Sequence, residues 1–120
     1  MSNETPSIQI LLTQRFKQDL KKLAKRFRSI RKDIAPLIDR IQQGETPGDR
    51  ISGSKYSVFK IRLRNSNISK GKSAGYRAIY YLKTQDTVVL VTIYSKSDQS
   101  DISNNLIETI IQQLEQDQDL

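Results

Sequence analysis

Apolar positions in this sequence recur with a helical period in some stretches and alternate with a period of two in others, and each change of period predicts an element boundary. "SIQILL", residues 7–12, reads as a first strand behind a flexible tail over residues 1–6. Thr13 stands where a helix N-cap is needed. Phe16, Leu20, Leu23, Phe27 and Ile30 then fall on one helical face. Ile34, Leu37, Ile38 and Ile41 continue the stripe. Pro36 fits only a first turn, so a second helix is predicted to restart near Lys32 or Asp33 and to end at Gly44. Two such helices, joined near residues 28–31, form an antiparallel hairpin.

"GETPGDRISGS", residues 44–54, is rich in turn formers and predicts a connector. In "YSVFKIRLR", Phe59, Ile61 and Leu63 alternate with Lys60, Arg62 and Arg64, giving a strand with one apolar and one basic face. "GYRAIYYLK" and "DTVVLVTIYSK" predict two more strands, the second apolar enough to be covered on both sides. Ile102, Leu106, Ile110 and Leu114 mark a last helix, and residues 116–120 read as a flexible acidic tail. The order β-α-α-β-β-β-α, with a helical hairpin and a C-terminal helix packed on a small, mostly antiparallel sheet, is an α+β fold. At 120 residues, one domain spanning 1–120 is the expectation.

Charge sharpens this picture. The formal net charge is +7 and the pI is near 9.8, which favours a polyanionic partner. Residues 14–32 carry nine Lys or Arg against one acid, Asp19. Residues 56–85 carry seven and no acid, whereas 98–120 carry six acids and no base. No apolar run approaches the ~20 residues that span a bilayer, and the N-terminus lacks the pattern of a signal peptide, so a cytoplasmic protein with no membrane partner is expected.

The chain has no His and no Cys. Ser-His-Asp and Cys-His nucleophilic arrangements, thiolate chemistry and the usual zinc ligand sets are therefore excluded, and neither a metal nor a cofactor is expected. "SNISKGKS" ends like a phosphate-binding loop but lacks the earlier glycine and leads into a strand. Lys, Arg and Tyr remain, and these can cleave RNA. Each ribonucleotide supplies its own nucleophile, the 2′-hydroxyl, so the protein needs only to position the substrate, move protons and neutralise charge on phosphorus.

"FKIRL…GKSAGYRAIYY" followed by "LVTIYSKSDQSDI" resembles the RelE/ParE superfamily of type II toxin–antitoxin toxins, most closely the RelE and HigB branch that cleaves ribosome-bound mRNA. The resemblance spans nearly the whole chain, from the basic first helix through "Y-x-x-x-K-I-R-L" and "G-Y-R-x-x-Y" to "I-Y-x-K". It implies a metal-independent endoribonuclease that inhibits translation. Carried over by position, Lys60 is a general base or electrostatic stabiliser, Arg62 a phosphate ligand, and Arg77 the stabiliser of the transition state. Lys96 is a phosphate ligand or proton donor. Arg64, Lys70, Lys72 and Tyr94 are candidates for RNA contact. The chain departs from some relatives in having Ser97 where they carry arginine, and Ile102-Ser103 where a helix tyrosine follows.

The resemblance also implies partners: a cognate antitoxin, mRNA and the ribosome, with operator DNA reached only through the antitoxin complex. Two other readings fit the same scaffold. One is a ParE-like inhibitor that binds DNA gyrase without catalysis, and the other a simple nucleic-acid-binding module.

Overall fold

In the computed structural model, which describes residues 7–69, 71 and 74–118, the chain runs β1 (Gln9–Leu12), α1 (Gln14–Arg26), α2 (Ile30–Gln42), β2 (Asp49–Arg50), β3 (Val58–Leu63), β4 (Tyr76–Thr84), β5 (Thr87–Ser95) and α3 (Asn104–Gln118). The expected tail residues 1–6, 119 and 120 lie outside the described residues, while 116–118, also expected as tail, continue α3.

The strands form one sheet in the order β1-β5-β4-β3-β2. Only β1 and β5 pair parallel; the other neighbours are antiparallel. The two long strands are therefore central. Val88, Leu90 and Ile93 of β5 pack beneath the helical hairpin, together with Ile61, Leu63, Tyr76, Ala78 and Tyr80. Val89 and Val91 join Val58, Ile79 and Tyr81 under α3 on the opposite face. The near-continuous apolar run of β5 follows from this double coverage.

Thr13 does two jobs at the first turn of α1. Its hydroxyl oxygen accepts from the Phe16 amide at 2.9 Å, capping the helix, and its O–H donates to the Val91 carbonyl at 2.6 Å. Beyond Leu12, none of the described residues continues a strand along that edge of β5. Asp19 fills the gap, accepting from the Thr92 hydroxyl and from the Ile93 amide. The lone acid of a basic helix thus closes a sheet edge.

Three expectations are corrected. First, α2 begins at Ile30, not near Lys32 or Asp33, so Pro36 sits in the helix interior. Ile30, Ile34, Leu37 and Ile41 are all buried on one face, and that continuous burial outweighs the hydrogen bond lost at proline. Second, the connector holds a strand: Asp49 and Arg50 pair with Lys60 and Phe59. Gly48 makes this possible, with φ +94 and so close an approach that a Cβ would stand 2.4 Å from the Lys60 carbonyl oxygen. Third, α3 buries Ile107, Ile110 and Ile111, leaving Leu106 and Leu114 at the margins and Ile102 ahead of the helix. The other boundary fits its expectation: Gly44, at φ +89, ends α2, and the Glu45 amide reaches back to the Arg40 carbonyl at 3.0 Å.

Candidate functional site

Each strand facing α3 changes character part way along. Val58, Ile79, Tyr81, Val89 and Val91 lie under the helix. Further along the same face stand Lys60 and Arg62 on β3, Arg77 on β4 and Tyr94 on β5. The helix covers the apolar half and leaves the basic half to a groove of about 570 Å³, lined by Arg40, Lys60, Arg62, Arg77 and Lys96 together with Asp49, Ser100 and Asp101. All four residues assigned catalytic roles from sequence therefore line one concavity.

The sheet register sets their order. Arg62 pairs with Arg77, and Arg77 with Tyr94, so the three form one row across β3, β4 and β5. Directly opposite residues on antiparallel strands share a face with Cβ atoms ~4.5–5.5 Å apart. Arg62 is exposed, whereas Arg77 is 6% exposed and donates to the Tyr76 carbonyl at 3.2 Å. One guanidinium forms the wall of the groove and the other its floor. Lys96 is fixed at the rim by its amide, which donates to the Gly75 carbonyl at 2.9 Å. Gly75 itself is pressed against β3: a Cβ there would lie 2.1 Å from the Leu63 carbonyl oxygen.

The basic hairpin is not uncompensated, as its acid-free sequence implied. Lys60 Nζ donates to Asp101 Oδ1 at 3.1 Å. The Ile102 amide donates to the same oxygen at 2.8 Å. The Ile102 amide first, then Lys60, hold the Asp101 carboxyl below the ordinary aspartate range, with Lys96 adding a smaller charge effect. Lys96 Nζ in turn donates to the Ser100 carbonyl at 3.1 Å. Asp101 belongs to the stretch 98–120, which carries acids and no base. Nothing local in the sequence marks a contact between positions 41 apart, so this partner was not legible there.

Tyr94 is buried rather than presented for stacking. Its side-chain direction depends on an irregularity: Ile79 pairs with Thr92 but Tyr80 with Leu90, leaving Val91 as an extra residue on β5. That bulge shifts the alternation so that Ile93 packs under the hairpin and Tyr94 lies beside Arg77. Its hydroxyl has no hydrogen-bond partner among the described residues. Burial raises its pKa first, the Asp101 charge adds to this, and Arg77 opposes it. Arg64 lies past the end of β3, exposed and outside the groove lining. Lys70 and Lys72 fall outside the described residues. Tyr76, Tyr80 and Tyr81 are core: burial lifts the Tyr76 hydroxyl to about 12, and the Tyr80 hydroxyl donates to the Pro47 carbonyl.

A helical hairpin and a C-terminal helix on opposite faces of a small, mostly antiparallel sheet, with a basic groove on the uncovered half, define a RelE-like α+β fold. The family described as the RelE toxin of the RelE/RelB toxin–antitoxin system matches residues 9–117, and the chain belongs to that family. It is the toxin of a toxin–antitoxin pair, and the family implies an antitoxin partner. A search of curated proteins finds no match. Among the described residues, no helix is long and apolar enough to cross a membrane.

Proposed function

We propose that this toxin is a metal-independent endoribonuclease that cleaves ribosome-bound mRNA in the cytoplasm and so inhibits translation. The observation that carries the reading is the row of Arg62 and Arg77 within a groove that also takes in Lys60 and Lys96. Five cations and two aspartates line that groove, and this set suits a phosphodiester. Arg62, on the open wall, binds a nonbridging phosphate oxygen. Arg77, on the buried floor, meets the charge that develops on phosphorus, where low exposure strengthens the interaction. Lys60 neutralises the phosphate or takes the 2′-hydroxyl proton, and in either role it must first leave Asp101. Lys96, at the rim, binds phosphate or protonates the leaving 5′-oxygen.

The 2′-oxygen attacks the adjacent phosphorus as the bond to the 5′-oxygen breaks. The products are a 2′,3′-cyclic phosphate, or the 3′-phosphate after hydrolysis, and a 5′-hydroxyl. Arg64, exposed past the end of β3, is a further contact for the RNA backbone, and Lys70 and Lys72 are assigned the same role on sequence grounds alone. The antitoxin silences the toxin by covering basic and apolar surface, and operator DNA is engaged only through that complex.

The test is to incubate the purified toxin with translating ribosomes, and with naked mRNA, at the lowest magnesium that keeps ribosomes intact. A naked-RNA reaction in excess chelator accompanies them. The reading expects 5′-hydroxyl ends that persist in chelator wherever naked RNA is cut. Ends carrying a 5′-phosphate, or inhibition of gyrase supercoiling with RNA left whole, would exclude it.

A further inference from the structure

We propose that the segment 97–101 is a built-in competitor for the groove, placing two protein oxygens on two of its lysines where RNA phosphate oxygens go, so that RNA binding displaces it. The proposal rests on the RNA-cleaving reading of the groove and adds a regulation of that same site.

The geometry is that of an occupied anion site. Lys60 donates to the Asp101 carboxylate and Lys96 to the Ser100 carbonyl, each at 3.1 Å, and the two acceptors are consecutive residues. Both Ser100 and Asp101 line the groove beside Arg62 and Arg77. The segment is held in place from outside the groove. Asp98 pairs with Arg26 of α1 at 2.6 Å, and the Asp98 amide donates to the Ser95 carbonyl at 3.0 Å. At its other end, Asn104 of α3 donates to the Ser52 carbonyl at 3.1 Å. A tether at both ends keeps the two oxygens near their lysines at high effective concentration without a covalent constraint on either contact.

The contacts are also weak enough to yield. The Asp101 side chain is 65% exposed and that of Lys60 is 35% exposed, the regime in which an ion pair contributes little and is screened by salt. A phosphate that arrives with Arg62 and Arg77 already placed gains more than this one pair offers. When it takes Lys60, the Asp101 carboxylate is left to recruit a cation from solution. That uptake cancels part of the counterion release that drives binding to a polyanion. Asp101 therefore lowers both the affinity for RNA and its dependence on salt.

The experiment uses the full chain and a labelled 2′-O-methyl RNA oligomer, which lacks the attacking hydroxyl and cannot be cleaved. Asp101→Asn keeps the shape and the acceptor for the Ile102 amide but removes the charge. The expected result is binding about two- to fivefold tighter than wild type. The slope of log affinity against log salt should steepen by up to about 0.7. Most of that gain should vanish when Lys60→Ala is present in both proteins compared. Equal or weaker binding by Asp101→Asn, or a gain that survives Lys60→Ala undiminished, overturns the competitor. A catalytic role for Asp101 would give that first result, with loss of cleavage at unchanged affinity. Tripolyphosphate separates the two claims. If the oligomer is not bound but Asp101→Asn tightens tripolyphosphate through Lys60, the competition for phosphate stands and recognition of RNA by the toxin alone fails. If neither probe binds, both fall.

Discussion

Arg62 and Arg77 stand directly opposite each other on neighbouring antiparallel strands, two permanent positive charges in one rung of the sheet. Such a pair costs folding free energy, of the order of 0.2–1 kcal/mol. Arg62→Gln should therefore raise the stability of the free toxin slightly, by up to about 0.5 kcal/mol in urea unfolding. The same change should weaken RNA cleavage about 10- to 100-fold, the cost of one charge-assisted hydrogen bond to phosphate. A variant that loses stability and keeps activity would remove Arg62 from the site.

Asp19 carries a second prediction, because it accepts from the Thr92 hydroxyl and the Ile93 amide at the edge of β5. Asp19→Ala leaves those donors without an acceptor and should cost about 1–3 kcal/mol. Asp19→Asn, which keeps an acceptor oxygen, should recover part of the loss. Amide hydrogen exchange at Ile93 gives a local reading of the same effect, and should quicken in the alanine variant. Unchanged stability would mean the helix does not close this edge.

At Gly48 the constraint is backbone geometry. A methyl group would meet the Lys60 carbonyl oxygen at 2.4 Å, at a φ of +94. Gly48→Ala should destabilise by about 1–3 kcal/mol. It should also loosen β2 beside Lys60, visible as faster exchange of the amides of Asp49 and Arg50. A stable alanine variant with an intact β2 would refute the packing described.

Asp101 supplies a pH-dependent outcome. Its folded-state pKa lies below the ordinary 3.8, first through the Ile102 amide and then through Lys60. A depressed carboxyl contributes stability above its unfolded pKa and loses it as pH falls through the folded value, so the Lys60 contact weakens as pH falls below the ordinary aspartate range. The contribution is small because the side chain is mostly exposed. Carboxyl-carbon NMR should place the Asp101 midpoint below 3.8, and Lys60→Ala should move it upward but not fully back, since the larger cause remains. A midpoint that ignores Lys60→Ala would contradict the ion pair.

The sequence disclosed β3 and its basic face because alternation of period two places Lys60 and Arg62 opposite Phe59, Ile61 and Leu63 whatever the tertiary context. It disclosed Thr13 and Gly44 because caps are local chemistry. Other features were hidden for equally physical reasons. Pro36 lies inside α2 because burial of Ile30 and Ile34 prevails over a local preference. The direction of Tyr94 turns on a one-residue bulge at Val91, which shifts every later side chain of β5 to the other face. The pairing of Lys60 with Asp101 joins positions 41 apart and leaves no periodic trace.

Mapping mRNA 5′ ends after brief induction tests the groove most directly, comparing the wild-type toxin with a Lys60→Ala, Arg77→Ala double variant shown to remain folded. The account predicts clustered 5′-hydroxyl ends, in frame within coding regions, for wild type only, with growth arrest relieved in the variant. Arrest and cleavage of equal strength in both would contradict it.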